Sequence, residues 1–141
     1  MFTLHAVNSN VRAIRLSVLL VEDNPGDAAL VRVALADASL PLVELIHVQT
    51  LNQALARLQG NDIDLIITDL GLPDSYGFDA CAKLCGNAQH TPVIVLSGRT
   101  DPVIRQEGLR LGAKDFLDKH HLGKEQIISV LAHAIKLQAS S

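Results

Sequence analysis

Apolar positions along the chain fall into short unbroken runs that alternate with stretches of helical period. Ser17 to Val21 is such a run, as expected of a strand buried on both faces. Asn24-Pro25 then opens a helix, with proline where its missing N–H does no harm, and Ala28, Val31, Leu35 and Ala38 form its apolar face. Leu42 to Val48 reads as a second strand. Thr50 caps the next helix, Gln53 completes a capping box, Leu51, Ala54, Leu55 and Leu58 face inward, and Gly60 stops it.

Ile63 to Thr68 is the third strand, followed by a loop marked by Gly71, Pro73, Asp74, Ser75 and Gly77. Phe78, Cys81, Ala82 and Cys85 make the stripe of the third helix. Pro92 to Leu96 is the fourth strand, and Asp101-Pro102 starts a helix with Ile104, Gly108 and Leu111 inward. Lys114 to Leu117 is a short fifth strand. A last helix runs from about Lys124, burying Ile127, Ile128, Leu131, Ala134 and Ile135. No repeat, low-complexity tract or interdomain linker interrupts the pattern.

Alternating strands and helices with apolar strand runs imply a doubly wound parallel α/β sheet with helices on both faces. Five strands with right-handed crossovers take the flavodoxin-like order 2-1-3-4-5. Residues 1–16 read as an N-terminal extension and 17–141 as one domain, a length that suits a single core.

Composition narrows the function. Hydrophobic residues are 48% of the chain and net charge is −3, so neither disorder nor a basic nucleic-acid footprint is expected. Three Phe, one Tyr and no Trp make a base-stacking platform a poor reading. No apolar run approaches the roughly 18 residues of a membrane span. Cys81 and Cys85 suit a reducing, cytoplasmic setting and read as small core residues.

Such sheets bind ligands beyond the carboxyl ends of their strands, at the point where strand order reverses. Strand 1 ends in Glu22-Asp23, strand 3 in Asp69, strand 4 in Ser97 and strand 5 in Lys119. Singly, each has an ordinary reading as a turn, cap or surface charge. Jointly, they place carboxylates, a hydroxyl and an ammonium on one edge. Clustered carboxylates repel unless a cation neutralises them, and a hard divalent ion such as Mg²⁺ suits oxygen ligands.

The segments 18–25 (VLLVEDNP), 64–74 (DLIITDLGLPD), 92–98 (PVIVLSG) and 112–119 (GAKDFLDK) resemble response-regulator receiver domains of two-component signalling, over about residues 17 to 137. The resemblance implies that Asp69 accepts a phosphoryl group from a histidine kinase or a histidine phosphotransfer protein. It implies a Mg²⁺ pocket of Glu22, Asp23 and Asp69 with the backbone carbonyl of Gly71. Ser97 and Lys119 would contact the phosphoryl group, Ser97 and Phe116 would form the switch, and Gly71 and Arg99 would tune hydrolysis. The face formed by the fourth helix, fifth strand and fifth helix would then bind a partner or a second copy of the chain.

The family usually has a cis proline after its lysine; here His120 follows Lys119. A non-proline cis bond costs ~2.5–4 kcal/mol, so a trans bond or a rearranged loop is expected. His120-His121 lack the spacing of a helical metal pair, and His47 and His133 read as ordinary strand and helix residues. Two rivals stand beside this reading. A haloacid-dehalogenase-like phosphatase also uses an Asp after a strand, but wants a second Asp two residues on, where Gly71 stands. A receiver-like interaction module without phosphorylation would not need the acidic pair, Asp69, Ser97 and Lys119 together.

Overall fold

The computed structural model describes residues 15–38, 43–60, 62–88, 90–99 and 101–140, with the side chains of the last helix described through Ala134. The elements are β1 (Leu16–Val21), α1 (Pro25–Asp37), β2 (Val43–Val48), α2 (Leu51–Leu58) and β3 (Leu65–Asp69). They continue as α3 (Asp79–Asn87), β4 (Val93–Ser97), α4 (Pro102–Leu111), β5 (Asp115–Asp118) and α5 (Lys124–Ser140). All strand pairs are parallel, in the order β2-β1-β3-β4-β5. That is the flavodoxin-like order expected from the sequence.

The strands read as continuous apolar runs because both faces are covered. Val18, Leu20, Leu65, Ile67, Ile94, Leu96 and Leu117 pack on one side with Ala28, Val31 and Ala34 of α1 and Ile127, Val130, Leu131 and Ala134 of α5. Their neighbours Leu19, Val21, Ile66 and Val93 face Leu51 and Ala54 of α2 and Ala80 and Leu84 of α3. Period-two alternation thus divides each run between two cores.

Local signals set the helix starts. Asn24 accepts from the Asp27 N–H, Asp101 accepts from that of Ile104, and Thr50 with Gln53 forms the expected capping box. Gly112, with φ of 115°, supplies the left-handed residue that ends α4.

Several expectations shift. β3 and β5 begin later than the sequence pattern suggested, and β1 includes Leu16. On α5, Ile128 is 43% exposed while Val130 is buried. The buried set Ile127, Val130, Leu131 and Ala134 follows i, i+3, i+4, i+7, and Ile128 lies about 100° off that line. On α3, Ala80 and Leu84 join Cys81 in the core, and Phe78 and Ala82 are only half-buried. Leu42 and the Ile135 side chain lie outside the described residues, as does most of the expected extension.

Candidate functional site

Register brings the strand ends together. Val21 stands opposite Thr68, Asp69 opposite Leu96, and Ser97 opposite Asp118. The residues just beyond, Glu22 and Lys119, keep their backbones in the ladder: Glu22 N donates to Val48 O, and Lys119 N donates to Ser97 O, both at 3.0 Å. His47 Nε2 also binds the Glu22 carbonyl at 2.7 Å.

Carboxylate oxygens of Glu22, Asp23 and Asp69 lie within 4.8 Å of one another, a spacing that could hold one metal ion. Glu22 is fully buried and Asp23 is exposed. Asn24 N donates to Glu22 Oε2 at 3.2 Å. Glu22 Oε1 has Lys119 Nζ at 3.0 Å but outside hydrogen-bond geometry, which leaves a buried oxygen without a hydrogen-bond partner. Such an oxygen is costly unless something else satisfies it. Burial pushes the Glu22 carboxyl up to about 7, against the opposing pull of Lys119 and the Asn24 N–H. An oxygen-seeking cation fits this donor set.

Asp69 is buried, and its Oδ1 accepts from Leu70 N at 2.8 Å. None of the described hydrogen bonds engages Oδ2, and a Cβ on Gly71 would come into ordinary contact with it, at 3.6 Å. Lys119 Nζ reaches Asp27 Oδ2 at 2.8 Å, Glu22 Oε1 at 3.0 Å and Asp69 Oδ1 at 3.3 Å. Burial disfavours its charge, but the carboxylates of Asp27 and Glu22 outweigh that and hold the ammonium above the ordinary lysine range. The peptide bond to His120 is trans, as among all described residues.

Ser97 lies at the end of β4, but its hydroxyl closes on its own loop. Oγ donates to Arg99 O at 2.8 Å and accepts from Arg99 N at 3.0 Å. The Arg99 side chain extends outward, 3.6 Å from Asp101. Phe116 is buried beneath α4, with Arg105 5.5 Å above the ring centroid.

Residues 18–132 match the family model for the response regulator receiver domain. The chain belongs to that family. Its receiver sequence is 38% identical over 125 residues to the gliding motility regulatory protein of Myxococcus xanthus, covering 87% of this chain and 15% of that one. It is 34% identical over 108 residues to the transcriptional regulatory protein TcrA of Mycobacterium tuberculosis, covering 77% and 42%. The chain therefore spans less than half the length of either relative. The receiver fold is similar to that of chemotaxis protein CheY4 of Vibrio cholerae, with TM-score 0.71, 28% identity, and coverage of 86% of this chain and 99% of that one. It is likewise similar to the signal receiver domain of an HD domain-containing protein of Pseudomonas fluorescens, with TM-score 0.72, 25% identity, and 89% and 90% coverage.

Two residues of this receiver site were not singled out from the sequence. Asp27 is the third residue of α1, where an acid reads as a helix-terminus charge. Its place one turn after the acidic pair, facing the same edge, was the available signal. Asp74, in the loop after β3, accepts from Leu51 N at 2.8 Å and Asn52 N at 2.9 Å. It ties the loop after β3 to the start of α2, and despite the cost of desolvation those two N–H groups hold its carboxyl below the ordinary range. Among the described residues no helix is long and apolar enough to cross a membrane.

Proposed function

We propose that this receiver domain is a phosphorylation switch in which Asp69 accepts a phosphoryl group from a phosphohistidine donor in a Mg²⁺-dependent reaction. The carrying observation is the buried Asp69 beside Glu22, Asp23 and Lys119, with Oδ2 engaged by none of the described hydrogen bonds.

Glu22, Asp23 and Asp69 would hold the ion with the carbonyl of Gly71. When bound there, Mg²⁺ would supply positive charge to offset that on the phosphoryl oxygens. Asp69 Oδ2 attacks phosphorus in line; the new O–P bond forms as the P–N bond to the donor imidazole breaks. Such transfers need positioning and charge stabilisation more than covalent chemistry. The Leu70 N–H fixes the carboxylate orientation, and Lys119 offers its ammonium to an equatorial oxygen. Ser97 would leave its bond to the Arg99 carbonyl and donate to another.

Water then hydrolyses the acyl phosphate, with Gly71 and Arg99 shaping its approach. These steps make the domain a regulator that promotes its own phosphorylation and dephosphorylation. Its donor is a histidine kinase or a histidine phosphotransfer protein, and its setting is the cytoplasm. The rearranged face of α4, β5 and α5 carries the signal to a partner or a second copy.

Incubation with acetyl phosphate tests the reading. Wild type should gain one phosphoryl group with Mg²⁺, and lose that ability in excess chelator or as Asp23→Ala. Equal labelling in chelator would remove the metal from the account.

A further inference from the structure

We propose that Asp27 is a positioning residue for phosphoryl transfer: its carboxylate pins the Lys119 ammonium at the mouth of the acidic pocket. The proposal rests on Asp69 being the acceptor.

Three carboxylates surround Lys119 Nζ, but they do not hold it alike. Asp27 Oδ2 is the nearest, at 2.8 Å, and it accepts a hydrogen bond from the ammonium. Glu22 and Asp69, at 3.0 and 3.3 Å, make ion-pair contacts only. Lysine is a rotamer-rich side chain, so its head goes where its best partner is anchored. Asp27 is well anchored. It sits in the first turn of α1, and its own N–H donates to the capping Asn24 Oδ1 at 2.9 Å. The lysine position is therefore referenced to α1, across 92 residues of chain, as well as to the strand that carries it.

The other two partners are committed elsewhere during the reaction. Glu22 and Asp69 belong to the cluster that could hold a metal, and Asp69 becomes an acyl phosphate. Asp27 lies outside that cluster. Its contact with Lys119 persists while the P–N or P–O bond of the donor breaks and the O–P bond to Asp69 forms. Lys119 neither gains nor loses a proton in that step. It pivots from Asp69 Oδ1 to a phosphoryl oxygen with Asp27 as the fixed end. Without Asp27, the ammonium would have no lasting partner and would spend time in solvent.

Asp27→Asn keeps the shape and removes the charge; Asp27→Glu restores the charge on a longer arm. With acetyl phosphate and Mg²⁺, the saturating rate of phosphorylation should fall about tenfold in Asp27→Asn, the scale of one lost charge-assisted contact, with half-saturation little changed. Asp27→Glu should recover most of that rate. A second readout uses neither donor nor metal: acylation of lysine amines by an N-hydroxysuccinimide ester, mapped by mass spectrometry. Lys119 should react several times faster in Asp27→Asn than in wild type, relative to Lys124 in the same chain. Unchanged Lys119 reactivity, or an unchanged saturating rate, overturns the proposal. If wild type takes no phosphoryl group at all, the acceptor reading fails, and the amine labelling still decides whether Asp27 holds Lys119.

Discussion

The ring of Phe116 fills the space that a side chain on Gly108 would need: a Cβ there would overlap the ring's Cζ. The glycine sits within α4, where it weakens the helix, and its absent side chain is the slot that admits the ring. Gly108→Ala should expel Phe116 toward solvent. Overpacking costs ~1–3 kcal/mol, offset by up to ~1 kcal/mol from alanine's helix preference. A urea double-mutant cycle with Phe116→Ala checks it. The two substitutions should couple, because removing the ring makes room for the methyl. Strict additivity would show that the ring and residue 108 do not compete.

Glu22 should make the metal-free protein sensitive to pH. Its folded carboxyl titrates at about 7 against 4.5 ordinarily, so the folded state holds the proton more tightly than the unfolded chain does. That contribution is complete below the ordinary carboxylate range and is lost as pH rises through about 7. Lys119 does not offset it in this window. Its raised value matters only above the ordinary lysine range of 10.5. Urea midpoints should fall between about pH 5 and pH 8, and Glu22→Gln should flatten that part of the slope. Mg²⁺, which prefers the ionised carboxylate, should restore more stability at the higher pH. A slope that persists unchanged in Glu22→Gln would assign it to other groups.

The core was legible because a strand covered on both faces must be apolar throughout, as Val18 to Val21 and Ile94 to Leu96 are. Caps were legible because Thr50 with Gln53 and Asp101 with Pro102 act over a few residues. The buried face of α5 was harder: Ile127, Ile128, Val130 and Leu131 are all apolar, so periodicity alone leaves the phase open. The acidic pair, Asp69 and Lys119 could be gathered because topology sends every strand end to one edge. Asp27, one turn after the acidic pair, was passed over because its local reading as a helix-start acid is complete in itself. Gly108 was expected to face inward, but nothing nearby in sequence announces the ring it accommodates.

Ser97 couples the acceptor to the outer face in this account. In this structure its hydroxyl is occupied by Arg99, donating to the carbonyl and accepting from the N–H. Beryllofluoride with Mg²⁺ should draw it to the acceptor. Such a charge-assisted bond is worth ~1.5–3 kcal/mol, enough to shift a two-state equilibrium by one to two orders of magnitude. Sedimentation with and without beryllofluoride should show changed self-association, or a pull-down changed partner binding, in wild type but not in Ser97→Ala. A variant that responds like wild type would place the coupling elsewhere.

Borohydride trapping identifies the residue that carries the phosphoryl group. After reaction with acetyl phosphate and Mg²⁺, reduction converts an aspartyl phosphate to homoserine, which peptide mass spectrometry locates. Homoserine is expected at position 69 alone, and none in Asp69→Asn. Homoserine at Glu22's neighbour Asp23 or another aspartate, or none anywhere in wild type that has taken up phosphate, would contradict it.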